Sequence, residues 1–502
     1  MVDPIELQVI VGALRAACEE MGAVLIRSAH SANIKERRDA STALFDASGG
    51  MTMQAEHIPV HLGAMPAAVE AVLHEDHSAG RSWILNDPFK GGTHLPDITV
   101  ITPILANTNT HPSLSPSPIL LGFAASRAHH ADVGGRIPGS MPADSRTLAE
   151  EGVVISPQPL SDARIEEIIS RMRQPAERRA DLRAQLAANR VGVRRLVELA
   201  ARVGVERLNE ATDAVLDYAE RRTRACLASI ADGIYEAEDV LEAAQGDIPV
   251  RVRAQVRGER LVLDFAGSAA QQQGNLNCPL AVTRSACYFA VRVLTDPDIP
   301  PCAGAYRPIE VLAPAGSLLN ASPGAAVVAG NVETSSRVAD VVLEAFGRAV
   351  GQGTMNNLTL GDERFSYYET LGGGQGACAD ADGPSAVHVA MSNTLNTPVE
   401  ALERAFPLRV VEYAVRRDSG GKGRWRGGDG VIRELEALRE MELSLITERR
   451  RHGPPGAAGG ESGQPGRNLL DGRVLPAKFT GKLHKGARLR IETPGGGGFG
   501  HE

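Results

Sequence analysis

Leu7, Val11, Leu14, Cys18, Met21 and Leu25 recur at spacings of three and four, so the chain opens on a helix with one apolar face. Asp3 stands where an N-cap belongs, Pro4 suits the first helical position, and Glu6 follows the cap by three residues. The period then shortens. Ala43-Leu44-Phe45 and Met51–Met53 flank a polar turn at 46–50 and predict a hairpin over 41–55. Two strand-like runs follow, one through Ile98, Val100 and Ile101 and one over 119–125. The segment NTNTHPSLSPSP between them reads as a polar, Pro-rich surface loop. Over 161–231 the helical period returns, with Ile165, Ile168 and Met172 on one face and Leu182, Leu186, Leu196 and Leu199 on another. After Gly246 the pattern alternates: Val250, Val252, Ala254 and Val256, a turn at Gly258-Glu259, then Leu261, Leu263 and Phe265. A helix is expected around 335–350, in a half rich in glycine that ends in TPGGGGFGHE.

At 502 residues the chain is too long for a single core. The patterns predict a mixed α+β, multi-domain protein. An N-terminal α/β domain over 1–160 carries the candidate metal ligands, a helical segment covers 161–240, and a strand-rich C-terminal domain covers 241–502. The boundary between the last two is expected near 235–245.

Composition removes several classes of function. A net charge of -8 offers no general attraction to nucleic acid or anionic membranes, and 4% aromatic residues cannot build base-stacking platforms. The arginines of 161–231 are interleaved with Glu and Asp, which reads as a solvated helix face. No run of 18 apolar residues predicts a membrane span, and no basic stretch leads into an apolar one at the start; the cytoplasm is the expected compartment. The six cysteines form no C-x-x-C pair and read as reduced thiols.

The candidate chemistry concentrates in NDPFKGGTHLPD and SRAHHADVGG. His94 and Asp97 lie three apart, and His129, His130 and Asp132 follow after the intervening strands. Upstream, ERRDAS adds Asp39. Histidine and carboxylate together suit borderline divalent ions such as Zn or Mn, and three or four such ligands leave room for water. The same residues also fit ordinary hydrogen-bonded histidines, and spacing alone leaves both readings open. Asp87, in Asn86-Asp87-Pro88, reads as a turn former. HIPVHLG holds His57 and His61, which fit proton transfer or substrate contact near the metal as well as they fit packing. Asn331 and Glu333 in GNVETSS fit a site lining or a capping segment, whereas Thr394 and Asn396 in SNTLNTPVE read as capping and turn residues. GGGQGA lacks a strand-turn-helix setting and TPGGGG lacks a following Lys-Ser/Thr, so neither is read as a nucleotide loop. No nucleophile elbow or catalytic cysteine setting is present.

The motifs NDPFKGGTHLPD, SRAHHADVGG, HIPVHLG, GNVETSSRVAD, YYETLGGGQGA, SNTLNTPVEALE and TPGGGGFG together make the chain resemble the hydantoinase B/oxoprolinase family over nearly its whole length. That family includes the B-type subunits of N-methylhydantoinases, other hydantoin and lactam hydrolases, and a subunit of acetone and acetophenone carboxylases. The resemblance implies a metal-dependent hydrolytic subunit in a hetero-oligomer. It implies a hydantoinase A-type ATPase partner that uses ATP to phosphorylate a small cyclic amide. It implies Asp39, His94, Asp97 and His129 as ligands of a divalent metal, with His130 and Asp132 in proton-transfer or outer-layer roles beside His57 and His61. The chain's length favours the hydrolase branch. Two alternatives remain at this point: a ketone carboxylase subunit, and a non-catalytic scaffold for the ATPase.

Overall fold

The first helix spans Pro4–Ser28, and Asp3 caps it by accepting from the Ile5 amide. Glu6 does not close a capping box; its carboxylate reaches across to Arg207 of a later helix. The buried face of this helix, Leu7 to Leu25, lies in the same core cluster as the apolar residues of the hairpin Ala40–Asp46 and Met51–Glu56. The structure is a computed structural model that describes residues 3–56, 58–106 and 118–501.

The hairpin is the edge of a six-stranded sheet. Across it run Met51–Glu56, Ala40–Asp46, Ile119–His129, Asp97–Ala106, Trp83–Leu85 and Gln158–Pro159, each pair antiparallel. The two long central strands bury almost every side chain, which explains their near-continuous apolar texture. Gly122 has φ +151°, and a Cβ there would sit 1.9 Å from the Phe45 carbonyl oxygen, so this close approach admits only glycine.

Helices Asp162–Ile169, Pro175–Val203 and Val205–Ala228 fill the expected helical region. The longest lies on the six-stranded sheet, where Gln185 and Asn189 donate to the carbonyls of Ile98 and Val100. The helical segment is therefore a layer over the first sheet. Position 240 falls inside the strand Gly233–Ala243, so a partition there would cut a four-stranded sheet completed by Gly246–Arg257, Arg260–Asp264 and Ile309–Leu312. One core cluster runs from Leu7 to Ile446 across these layers.

Two further sheets are built from C-terminal residues. One contains Phe365–Glu369, Asn357–Asp362, Met441–Ile446 and Lys478–Leu483; the other runs from Leu408–Arg416 to Arg473–Leu475. They share a second apolar cluster around Leu358, Leu443 and Leu489. The expected helix is present as Ser335–Ala345. A buried ionic network ties it to its surroundings: Arg449 reaches Asp239 at 2.6 Å and Asp340 at 2.9 Å, while Arg337 reaches Asp239 at 2.7 Å.

The glycine-rich stretches have a packing role. A Cβ at Gly374 would lie 1.9 Å from the Gly428 carbonyl oxygen, and one at Gly496 would lie 2.0 Å from that of Gln375. GGGQGA and the terminal GGGG thus thread backbone against backbone, with no space for side chains. All six cysteines are free. No helix among the described residues is long and apolar enough to cross a membrane.

Candidate metal centre

Strand register assembles the site. Asp97 begins one central strand and stands opposite His129, the last residue of its neighbour. On the other side of His129 runs the hairpin strand, and the His129 amide donates to the Asp39 carbonyl at 3.0 Å. Asp39, His129 and Asp97 therefore sit side by side at one end of the sheet. His94 comes from the turn just before, closed by the Asp97 amide donating to the His94 carbonyl.

His94, Asp97 and His129 offer ligand atoms that all lie within 4.8 Å of one another, and all three residues are buried. His129 Nδ1 is 3.2 Å from Asp97 Oδ1, and His94 Nε2 is 3.1 Å from the same oxygen. The His94 contact misses hydrogen-bond geometry, and both its ring nitrogens lack a hydrogen-bond partner. Of the two, Nε2 is the atom that lies near the shared Asp97 oxygen. His61, from the short helix Pro59–His61, brings Nε2 to 3.5 Å from Asp97 Oδ2 and fixes Nδ1 on Ser41 Oγ at 2.8 Å. Thr93 donates to Asp97 Oδ2 at 2.6 Å.

The electrostatics favour the protonation states that metal ligands need. Burial opposes a charge on Asp97, but the facing His94 and the hydrogen bonds from His129 and His61 hold its carboxyl well below the usual range. Burial pulls the His129 imidazole down, against Asp97 and Asp39, which keeps it neutral near pH 7. Nearby, burial lowers the Arg127 guanidinium to about 10; Asp97 acts in the opposite direction.

The cluster opens on a small cavity of about 20 Å3 that Asp39 also lines. That is room for about one water or one ion. Carboxylate and imidazole donors, buried nitrogens without partners and a hole of that size together fit a borderline divalent cation. Asp39 stands further off than the triad, with Arg37 at 3.9 Å from its carboxylate.

The other wall of the cavity comes from more than two hundred residues downstream. Tyr368 stacks flat on His129, with ring centroids 4.6 Å apart. The Arg37 guanidinium lies 4.6 Å from the centre of the Tyr368 ring and donates to Thr370 Oγ1 at 3.0 Å and Thr394 Oγ1 at 3.4 Å. Asn331 faces the cavity with an Oδ1 that has no partner. It belongs to a π-helical turn, Gly330–Thr334, an irregularity common at functional sites. Tyr368, Thr370 and Arg37 were not singled out from the sequence, and Thr394, read there as a turn residue, lines the cavity. The runs YYET and SNTLNT were the available signals, but no local pattern links them to histidines so far upstream.

Two of the candidate residues stand apart from the cluster. His130 does not join the cluster: it points to the opposite face, where Nε2 meets Gln185 Oε1 at 3.0 Å under the long helix. Alternation along an extended strand requires this. Burial lowers its pKa to about 4, so it is a neutral core residue. Asp132 is not beside the cluster either. Its carboxylate accepts from the amides of Gly134 and Gly139 and from Arg173, which organises the turn at 132–139. The glycine pair after Asp132 was the sign of that turn. His57 lies outside the described residues.

Residues 3–502 match the family Hydantoinase B/oxoprolinase. The chain belongs to that family. Among hydantoinase B/oxoprolinase relatives, 5-oxoprolinase 1 of Arabidopsis thaliana is 39% identical over 99% of this chain, which covers 42% of that protein. The chain thus spans about two fifths of the length of the curated 5-oxoprolinases it matches. A D-/L-hydantoinase subunit from a Pseudomonas strain, itself assigned by inference, is 28% identical, with 100% of this chain and 90% of that one covered. In structure, the ATP-dependent caprolactamase from Pseudomonas jessenii superposes with a TM-score of 0.90 at 28% identity, covering 100% of this chain and 92% of that one.

Proposed function

We propose that this chain is the metal-dependent hydrolytic part of an ATP-dependent amidohydrolase, acting on a cyclic amide that a hydantoinase A-type partner phosphorylates with ATP. The observation that carries the reading is the convergence of His94, Asp97 and His129 on a buried cavity that Asp39 also borders. Those four residues would hold the ion, Zn or Mn by donor chemistry. The relatives named for oxoprolinase, hydantoinase and caprolactamase activity support the substrate class.

A ring amide is a poor electrophile, and phosphorylating its oxygen supplies a leaving group. A divalent ion, when bound, supplies Lewis acidity toward water and oxygen. The protein's own residues hold and orient. Thr93 and His61 fix the Asp97 carboxylate from two sides. Tyr368 fixes the plane of the His129 ring. The Thr370 and Thr394 hydroxyls and the Asn331 amide line the cavity with polar groups that the reacting edge of an amide would meet, and Arg37 beside them adds a fixed positive charge to oppose developing negative charge.

The test is to purify the chain with an A-type partner, measure bound metal, and assay ATP-coupled ring opening of hydantoin, 5-oxoproline and caprolactam. About one divalent ion per chain and activity that disappears without ATP or partner are expected. Absence of stoichiometric metal after reconstitution would overturn the reading, as would bicarbonate-dependent turnover of a ketone in place of ring opening.

A further inference from the structure

The metal cavity holds about one water-sized occupant, so a ring amide does not fit it as it stands. A second cavity of about 450 Å3 lies on the other side of a thin wall. That volume is ordinary for a small-molecule site. The wall consists of two chain segments whose residues divide between the two spaces. Ile58 and Val60 face the metal cavity while Pro59 and Leu62 face the larger one; Met391 and Thr394 face the metal cavity while Ala390 and Asn393 face the larger one. Ser392 alone borders both, and its Oγ lies 2.6 Å from His388 Nδ1, itself part of the larger cavity's lining.

The larger cavity reaches the surface, since Val293 in its lining is 50% exposed. Leu62, Phe289, Leu343 and Val389 give it an apolar side, and the Gln375 and Asn393 amides give it donors and acceptors. Asp340, the acid in its wall, is already paired with Arg449 at 2.9 Å. With the Arg292 guanidinium also in its wall, this lining suits a ring with one polar amide edge and offers no free carboxylate for a cation.

We propose that this cavity is the chamber that receives the cyclic amide, and that Ser392 marks the neck through which its amide edge meets the metal centre. The inference rests on the proposed amidohydrolase reading and deepens it: the substrate class is a ring-sized amide taken in from the side of Phe289 and Leu343. The wall formed by 58–62 and 389–394 shifts to join the two spaces, and the His388–Ser392 pair sits where the amide nitrogen passes.

The test uses the full chain with its partner and two variants remote from the metal ligands. Leu343→Trp fills the chamber, and Phe289→Ala enlarges it. Metal content and melting temperature confirm that each variant is folded and loaded. Leu343→Trp is expected to lower kcat/KM for 5-oxoproline, hydantoin and caprolactam by about tenfold or more. Phe289→Ala is expected to raise the ratio of caprolactam to 5-oxoproline turnover. In parallel, saturation-transfer NMR with each amide reads binding without turnover, and Leu343→Trp should abolish it. Hydrolysis and binding unchanged in both folded variants would overturn the chamber. A wild type that binds an amide, loses it in Leu343→Trp and hydrolyses none would keep the chamber and sink the amidohydrolase reading. A wild type that neither binds nor hydrolyses any of the three overturns both.

Discussion

Two buried polar clusters in this protein differ in how their carboxylates are matched. In the ionic network around the helix Ser335–Ala345, the carboxylates of Asp239 and Asp340 face guanidinium groups of Arg337 and Arg449 within hydrogen-bond distance. Those arginines hold the Asp239 carboxyl well below its usual range despite burial. At the candidate metal centre, Asp97 is an anion among imidazoles of which His94 has no hydrogen-bond partner on either nitrogen and His61 and His129 have none on Nε2, at the edge of a hole. The network balances its own charge and fastens helix to sheet. The centre has no such matched counter-charge, which the proposed cation would supply. Buried polar groups are normally satisfied, so an unsatisfied set that converges is the better sign of function.

The sharpest way to break this comparison is Asp97→Asn. The carboxylate shared by His94, His129 and His61 disappears, and the protein should lose its bound ion. Activity should fall by more than about a hundredfold, beyond the usual cost of altering an outer-layer residue. Elemental analysis and the partner-dependent assay read both. If Asp97→Asn keeps a full complement of metal, the centre is not where the ion binds.

Arg449→Ala attacks the other cluster. It leaves Asp239 and Asp340 short of a buried counter-charge, which should cost about 3–5 kcal/mol of stability. Metal per folded chain should stay near wild type. Chemical denaturation followed by metal analysis on the folded fraction checks it. Loss of metal without loss of stability would show that the two clusters are one unit.

The adjacent histidines sharpen the contrast within a single strand. His129→Ala should empty the centre. His130→Ala should retain the ion and instead lose about 1–3 kcal/mol, because it leaves the buried Gln185 Oε1 without its His130 partner. Retention by the first and loss by the second would reverse the assignment.

Counted per pH unit, the smallest effect expected is a slope of stability with pH. Glu333 is fully buried, and burial, aided by Glu448, raises its carboxyl to about 8. The folded state then binds more protons than the unfolded state between the ordinary glutamate value of 4.5 and about 8. Stability conferred by the protonated group is complete below the lower value and declines as pH rises toward the upper one. Glu333→Gln should flatten that decline, by at most about 1.4 kcal/mol per pH unit. Denaturation midpoints at pH 5, 6.5 and 8 measure it, as three settings on the order of that titration window.

Much of this was legible in the sequence where the signal is local. The capped first helix, the hairpin at 41–55 and the two central strands each carry their own periodicity, and H-x-x-D at the start of a strand placed two ligands together. The alternation rule also separates His129 from His130 once the strand is recognised. What was not legible depends on chain segments meeting across the fold. Tyr368 and Thr370 have no local feature that marks them as partners of Arg37, and Thr394 has the composition of an ordinary turn. Asp132 misled for the converse reason: its chemistry suits a site, while the glycines after it describe a turn. The boundary near 240 followed a change of period from helix to strand, which marks a change of element and not of core.

Arg37 touches the Tyr368 carbonyl and the Thr370 hydroxyl across 331 and 333 positions of chain. During synthesis at about 5–20 residues per second, the histidines and aspartates emerge on the order of ten seconds before the tyrosine that covers them. In that interval the nascent ligands meet the ion pool of the cell with no roof above them. If the proposed centre takes its ion in that interval, the choice of ion would be set partly by history and not by affinity alone. Protein made in manganese-rich or zinc-rich medium should differ in content from the same protein refolded in an equal mixture of both ions.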